Sequence, residues 1–293
     1  MRRALSILSG IIILITTAAA YAGDCGDVND DTKVNVGDAV YLINYIFKGG
    51  PAPVCGPETG NCGDVSGDIR VNVGDAVYLI NYIFKGGPAP SCGPETGTMI
   101  DVDGNIYQTV KIGTQWWMAE NLKVTHYRNI DPIPNVTDNT AWAALTTGAY
   151  CSSSNNDTRV ATYGRLYNWF AVSDSRDIAP AGWHIPSDTE LQILIDYLGG
   201  GAIAGGKMKE KGTVHWVSPN TDATNESGFS ALPGGLRTGL GYFAGPGYHA
   251  LFWFITEYDS DNAWSVELAY DFSNALPEYD PKTCGFSVRC VKD

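Results

Sequence analysis

The sequence predicts two folds in one chain, a small all-α module of two loop–helix repeats followed by a larger α+β domain. Three observations carry that prediction. Val34–Pro53 and Val71–Pro90 both read VNVGDAVYLINYIFKGGPAP, 37 residues apart, and CGDV and CGPETG flank both copies in the same register. A period that short marks one supersecondary unit per copy. Beyond the second copy the composition changes, and all eight tryptophans lie there. Between the two, Gly93–Thr98 contains only Gly, Pro, Glu and Thr, so residues 93–98 are expected to be a linker between the repeats (23–92) and the large domain (99–293).

Residues 1–22 read as an export signal. Arg2 and Arg3 form a basic start, Ile11–Ile15 lies in an apolar run, and Ala20-Tyr21-Ala22 offers a small-x-small cleavage site before Gly23. The run is too short for a comfortable membrane span, and Asp24 ahead of Cys25 disfavours a lipid anchor. The expectation is a secreted protein. A net charge of −13 argues against nucleic-acid binding and suits a chain that holds cations. Export makes disulfides the expected state of the seven cysteines. Cys25, Cys55, Cys62 and Cys92 bracket the repeats and allow three connectivities. Cys25–Cys55 with Cys62–Cys92 is favoured, because each bond would tie a loop entrance to the end of its own helix. Cys151, Cys284 and Cys290 form an odd set, which leaves one thiol unpaired.

The front of each repeat spaces oxygen-bearing side chains like a calcium loop. Counting from Asp27, the first loop offers Asp27, Asn29, Asp31, Lys33, Asn35 and Asp38 at positions 1, 3, 5, 7, 9 and 12. The second offers Asp64, Ser66, Asp68, Arg70, Asn72 and Asp75 at the same positions. Calcium takes six to eight hard oxygen ligands, and position 7 supplies a backbone carbonyl, so Lys33 and Arg70 would contribute main-chain oxygens. Carboxylates this close repel one another without a cation. The competing reading is a pair of Asp/Asn-rich turns that cap helices. Two Ca2+ sites are expected, both weakened, because Thr32 and Ile69 occupy position 6, where the turn calls for glycine.

A short helix follows each loop, Asp38–Lys48 and Asp75–Lys85, ended by Gly-Gly-Pro. Ala39, Leu42, Ile43 and Ile46 make one apolar stripe, while Val40, Tyr41, Tyr45 and Phe47 make the rest of the surface nearly as apolar. Such a helix must bury more than one face. One face suits the sister helix. The other is left for a partner or for the large domain.

Residues 25 to about 92, with DxNxDxxxNxxD, LINYI and the duplication, resemble a type I dockerin. The resemblance implies calcium-dependent docking to a cohesin domain on a scaffold or surface protein. It places recognition at loop positions 10 and 11, here Val36 and Gly37, Val73 and Gly74 instead of a hydroxyl pair, and on the following helix, with Tyr41, Tyr45, Tyr78 and Tyr82 as candidates. Two near-identical halves imply pseudo-two-fold symmetry and two docking orientations.

In the large domain, Asp101–Asn105 is expected to be a hairpin turn rather than a third calcium loop, with Ile106–Ile112 as a strand. Ser187 caps a helix over Asp188–Leu198, Glu190 completes a capping box, and Leu191, Leu194, Ile195 and Leu198 form its stripe. A second helix is expected over Gly164–Val172, with Leu166, Trp169 and Phe170 inward, and strands over Trp253–Thr256, Trp264–Ala269 and Gly285–Val291. The phrases IGTQWWMAENLKVT, YGRLYNW, AGWHIPSDTE, NESGFSALPGG and GFSVRC, spread over 99–293, resemble the Fibrobacter succinogenes major paralogous domain. That resemblance implies a C-type-lectin-like fold, akin to the formylglycine-generating enzymes. It also implies a Cys151–Cys290 bond, with Cys284 as the odd thiol.

No nucleophile-elbow, zinc-helix or P-loop pattern is present. His126, His184, His215 and His249 lack metal spacing, and His184 reads as a core or turn residue. Glu257 and Asp259 are the one candidate carboxylate pair for glycoside cleavage. Exposed Trp and Tyr would suit sugar stacking, although a Trp-rich core accounts for most of them. The expected function is non-catalytic: docking through the repeats, with display of a domain that binds carbohydrate or a cell-surface polymer. The alternatives are a glycoside-hydrolysing component of a polysaccharide-degrading complex, and a structural surface protein that binds another protein.

Overall fold

The computed structural model describes residues 25–54, 62–67 and 70–293. The expected signal, Cys55, Asp68 and Ile69 lie outside the described residues.

In the repeats the helices begin two residues earlier than the acids that were expected to start them. α1 spans Val36–Lys48 and α2 spans Val73–Lys85. The caps explain both ends. Asn35 and Asn72 accept from the backbone N–H of Gly37 and Gly74 at 2.7 Å, and Asp38 and Asp75 reach back to the cap N–H at 2.8 Å. These are reciprocal capping boxes built from Asn and Asp. At the other end Gly49 and Gly86 adopt φ of 65° and 64°, the left-handed stop that glycine permits.

α1 and α2 pack together through Ala39, Leu42, Ala76 and Leu79, with Val28 and Val65 from the loops. The tail of each repeat folds back on its own loop: Val54 N–H donates to Val28 O and Ser91 N–H to Val65 O, both at 3.0 Å. Each tail also reaches the other repeat. A Cβ on Gly26 would meet Pro90 Cγ at 2.9 Å, and one on Gly63 would meet Pro53 Cγ at 2.7 Å. This crossing corrects the expected disulfides. Cys25 bonds to Cys92, with Cα atoms 5.5 Å apart, which rules out Cys25–Cys55 and Cys62–Cys92. Cys62 is also disulfide-bonded. The bond clasps the first loop to the end of the second repeat, because the pseudo-symmetric packing brings those two points together.

The large domain is β-rich with a few short helices. In chain order it contains β1 (Thr96–Ile100), β2 (Ile106–Ile112), β3 (Gln115–Met118), α3 (Asn139–Ala143), β4 (Tyr150–Ser152), α4 (Val160–Tyr163), β5 (Arg165–Asn168), α5 (Trp169–Val172) and β6 (Trp183–His184). It continues through α6 (Asp188–Tyr197), α7 (Ala204–Met208), β7 (Leu236–Arg237), β8 (Phe243–Ala244), β9 (His249–Glu257), β10 (Asn262–Ala269), β11 (Leu276–Pro281), β12 (Gly285–Phe286) and β13 (Val291–Lys292). These strands form three sheets, ordered β1-β2-β3-β13-β6, β11-β10-β9 and β4-β5-β12-β7-β8.

The expected hairpin forms, with Asp101 Oδ1 accepting from the N–H of Asp103 and Asn105, each at 2.9 Å. α6 starts under its Ser187–Glu190 capping box as read. Three expectations change. The linker is shorter, because Thr96–Thr98 already belong to β1. The Gly164–Val172 helix is a strand and one helical turn: Arg165–Asn168 pairs with β4 and β12, and only Trp169–Val172 is helical, capped by Asn168. Leu166 and Trp169 are buried and Phe170 is half-buried. The Gly285–Val291 strand is broken, since Ser287 bridges to β9 while the chain crosses from one five-stranded sheet to the other.

The core is aromatic, with Trp117, Trp142, Trp216 and Trp253 among its largest fully buried side chains. Of the cations buried with it, three are held chiefly by backbone carbonyls. Arg289 donates to Asn121 Oδ1 at 2.8 Å and to the carbonyls of Met118, Phe229 and Ser230. Arg237 donates to the carbonyls of Gly241, Val136 and Thr137. Lys209 Nζ donates to the carbonyls of Thr221, Ala269 and Phe272 at 3.0, 2.8 and 2.6 Å. Carbonyl oxygens replace the water these cations have lost, and the irregular loops are held in place as a result.

The expected Cys151–Cys290 bond is absent. Cys151, Cys284 and Cys290 are free, buried thiols. Cys151 packs with Trp142 and Leu166, whereas Cys290 lies in the larger cluster with Met118 and Trp253, so the two sit in separate parts of the core.

Candidate docking and metal site

The first loop winds around Asp27. Its Oδ1 accepts from Asp31 N–H at 3.0 Å and its Oδ2 from Thr32 N–H at 2.7 Å. Asp38 closes the other side, with Oδ1 accepting from Val28 N–H and Oδ2 from Asn35 N–H. Both carboxylates are buried, at 2 % and 0 % exposure. Burial pushes the Asp38 carboxyl above the usual carboxylate range; the two N–H groups oppose that, and the charges of Asp27 and Asp31 add to it. Asp31 stays at the surface, where it accepts from Lys33 N–H and from Asn29 Nδ2. Among the described residues no three acidic, histidine or cysteine side chains converge on a metal position.

Thr32 adopts φ of 69°, the left-handed conformation expected to strain a β-branched residue. In the second loop Asp64 and Asp75 are fully buried. Ser66 Oγ is buried with no hydrogen-bond partner among the described residues. A Cβ on Gly93 would fall 1.9 Å from Asp64 Oδ2, so the chain leaving the repeat lies directly on that carboxylate.

The expected partner residues divide into three kinds. Val36 and Val73 are open to solvent, at 51 % and 50 %. Tyr41 and Tyr78 donate through Oη to Ala52 O and Ala89 O, so they fasten each helix to its own tail; Tyr45 is exposed and Tyr82 half-buried. Gly37 and Gly74 serve the caps, since a Cβ on either would sit 2.9 Å from the capping Asn oxygen. The most open apolar side chains described in the repeats are Phe47 and Phe84, each at 65 %, and Val40 and Val77 are half-open beside them. Those four were visible in the all-round apolar helices but were not singled out as contacts. With Val36 and Val73 they give each helix its own exposed apolar stripe, Val36, Val40 and Phe47 on α1 and Val73, Val77 and Phe84 on α2.

In the large domain each candidate acid is engaged by a partner of its own. Glu257 is ion-paired to Lys282, and Asp259 accepts from Asp261 N–H and Asn262 N–H in the β9–β10 turn. Each histidine stands against its own carboxylate: His126 on Asp103, His184 on Glu190 and Asp293, His215 on Glu210 and His249 on Glu267. His184 is thus a half-exposed bridge between α6 and Asp293, not a core residue. Burial pushes the Cys151 thiol up to about 11 and the Cys284 thiol to about 12, the opposite of what a nucleophilic thiolate needs. No helix among the described residues is long and apolar enough to cross a membrane.

No curated protein and no solved structure matches the chain. One family does, the Fibrobacter succinogenes major domain, over residues 110–292, a match that leaves the repeats outside it. That match covers more than half of the chain, which therefore belongs to the Fibrobacter succinogenes major domain family.

Proposed function

We propose that this is a secreted, two-module protein. Its N-terminal repeats dock, in calcium, to a cohesin-type module on a scaffold or surface protein. Its C-terminal domain, read as lectin-like, is displayed to bind carbohydrate or a cell-surface polymer. The observation that carries the docking reading is the repeated apolar stripe, Val36, Val40 and Phe47 on one helix and Val73, Val77 and Phe84 on the other. An open apolar patch on a small module marks an interaction surface, and the repetition presents the same contact in two orientations.

Calcium fits the donor set. Asp27, Asn29, Asp31, Asn35 and Asp38, with Lys33 O, would hold one ion. Asp64, Ser66, Asp68, Asn72 and Asp75, with Arg70 O, would hold the other. Buried carboxylates, and a Ser66 hydroxyl with no partner among the described residues, are groups that suit an oxygen-ligated cation. The ion would neutralise the carboxylates gathered at the N-terminus of each helix. The test is surface plasmon resonance of the full chain against a panel of cohesin modules, in calcium and then in EGTA. We expect binding that EGTA abolishes and that Val40→Asp with Val77→Asp weakens, the pair being needed because either face alone suffices. Binding indifferent to EGTA, or to the double substitution, would contradict the proposal.

A further inference from the structure

The β9–β10 hairpin and the edge strand β11 bring three aromatic rings together at the surface. Tyr258 and Tyr279 lie 4.1 Å apart and 2° from parallel, and Trp264 meets both edge-on, at 5.2 and 6.5 Å. The register explains the meeting, since Trp264 pairs directly with Tyr279. Trp264 packs its inner side on the core, whereas Tyr258 and Tyr279 are 46 % and 53 % exposed. Neither tyrosine hydroxyl has a hydrogen-bond partner among the described residues. The turn that carries Tyr258 is hydrogen-bonded across its mouth. Tyr258 N–H donates to Asn262 O at 3.0 Å, and Asp259 accepts from Asp261 N–H, Asn262 N–H and Asn262 Nδ2.

We infer that the Tyr258–Tyr279 stack is a binding ledge for neutral pyranose rings of a polysaccharide. This rests on the carbohydrate reading of the C-terminal domain and gives it a location. The ring faces carry negative charge density, and the apolar C–H face of a pyranose presents the opposite polarity. Stacking on rings already packed against one another forfeits less conformational entropy than ordering free side chains would. The surrounding charge selects the class. The adjacent cation, Lys282, is consumed by Glu257 and by Ser260 O. The turn beside the rings carries Asp259 and the exposed Asp261. Carboxylates accept from sugar hydroxyls and repel acidic sugars, so a neutral chain fits and a uronic-acid polymer does not.

The test is affinity electrophoresis of the full chain through gels that contain soluble β-glucan, xylan or mannan, with polygalacturonate as the anionic comparison. The wild type is expected to be retarded by at least one neutral polymer and not by polygalacturonate. Tyr279→Ala with Tyr258→Ala should weaken that retention about tenfold, as the loss of an aromatic contact implies. Tyr279→Phe, which keeps the ring, should retain it. Tyr279→Leu keeps an apolar strand residue without the π-face and should lose it with an unchanged melting temperature, which covers the case in which the double alanine variant unfolds. Retention unchanged in the alanine and leucine variants would overturn the ledge and leave carbohydrate binding standing. Retention by polygalacturonate alone would overturn the neutral ligand class. A wild type that no neutral polymer retards would overturn the carbohydrate reading itself, and the ledge with it.

Discussion

Asp27, Asp38, Asp64 and Asp75 are buried acids in the repeats, whereas Arg237, Arg289 and Lys209 are buried cations in the large domain. The cations are finished by carbonyls of their own chain, so their loops are set as soon as the domain folds. The acids are met by a few N–H groups, and Asp38 is left with a raised affinity for a proton. One region is self-contained. In the proposed reading, the other takes a cation to complete it. The covalent chemistry differs in the same direction: a disulfide clasps the repeats, while the three cysteines of the large domain are free thiols sealed in its core.

The largest expected effect breaks the self-contained side. Arg289→Met would leave the carbonyls of Phe229 and Ser230 without their donor and should destabilise the large domain by about 1–3 kcal/mol for each carbonyl. Because all eight tryptophans lie in that domain, their fluorescence in a urea titration reports it alone. The repeats, followed as the part of the far-ultraviolet circular-dichroism change that does not coincide with the tryptophan transition, should not respond.

The next effect is the converse. Cys25→Ser with Cys92→Ser opens a bond that spans 67 residues and should cost the repeats about 4 kcal/mol by loop entropy. Tryptophan fluorescence should not register it, nor should it register added reductant, since no disulfide is found among the large domain's cysteines.

The helices of the repeats were legible because period, caps and Gly-Gly-Pro stops all agree, and the Thr32 strain followed from its loop position alone. The disulfide was not, because it depends on how two like units cross, which local spacing does not record. Arg165–Asn168 was misread for a related reason. Tyr-Asn-Trp-Phe-Ala-Val reads as a helix, but β4 and β12 claim its first residues by pairing. The Tyr258–Tyr279 stack was equally hidden, since a strand register brings those residues together.

Smaller changes sharpen the comparison. Thr32→Gly removes the positive-φ strain and should stabilise the repeats by about 1 kcal/mol, read from the same circular-dichroism transition. On the large domain, burial opposes protonation of His184, but Asp293 and Glu190 outweigh it and raise the imidazole above its ordinary value of 6.5. A raised histidine contributes stability that is fully present below 6.5 and is lost as pH rises through the raised value. The half-exposed pair limits that to under about 1 kcal/mol, and His184→Gln should flatten the pH dependence of the tryptophan-detected transition.

The most direct test of the contrast is thermal unfolding of the full chain across a calcium titration, with both signals recorded. The repeat transition should climb with calcium, gaining about 2.7 kcal/mol per site at a hundredfold excess over that site's Kd, and should fall back in EGTA while the tryptophan transition stays fixed. A repeat transition that calcium leaves unmoved, or a tryptophan transition that follows the ion, would contradict that contrast.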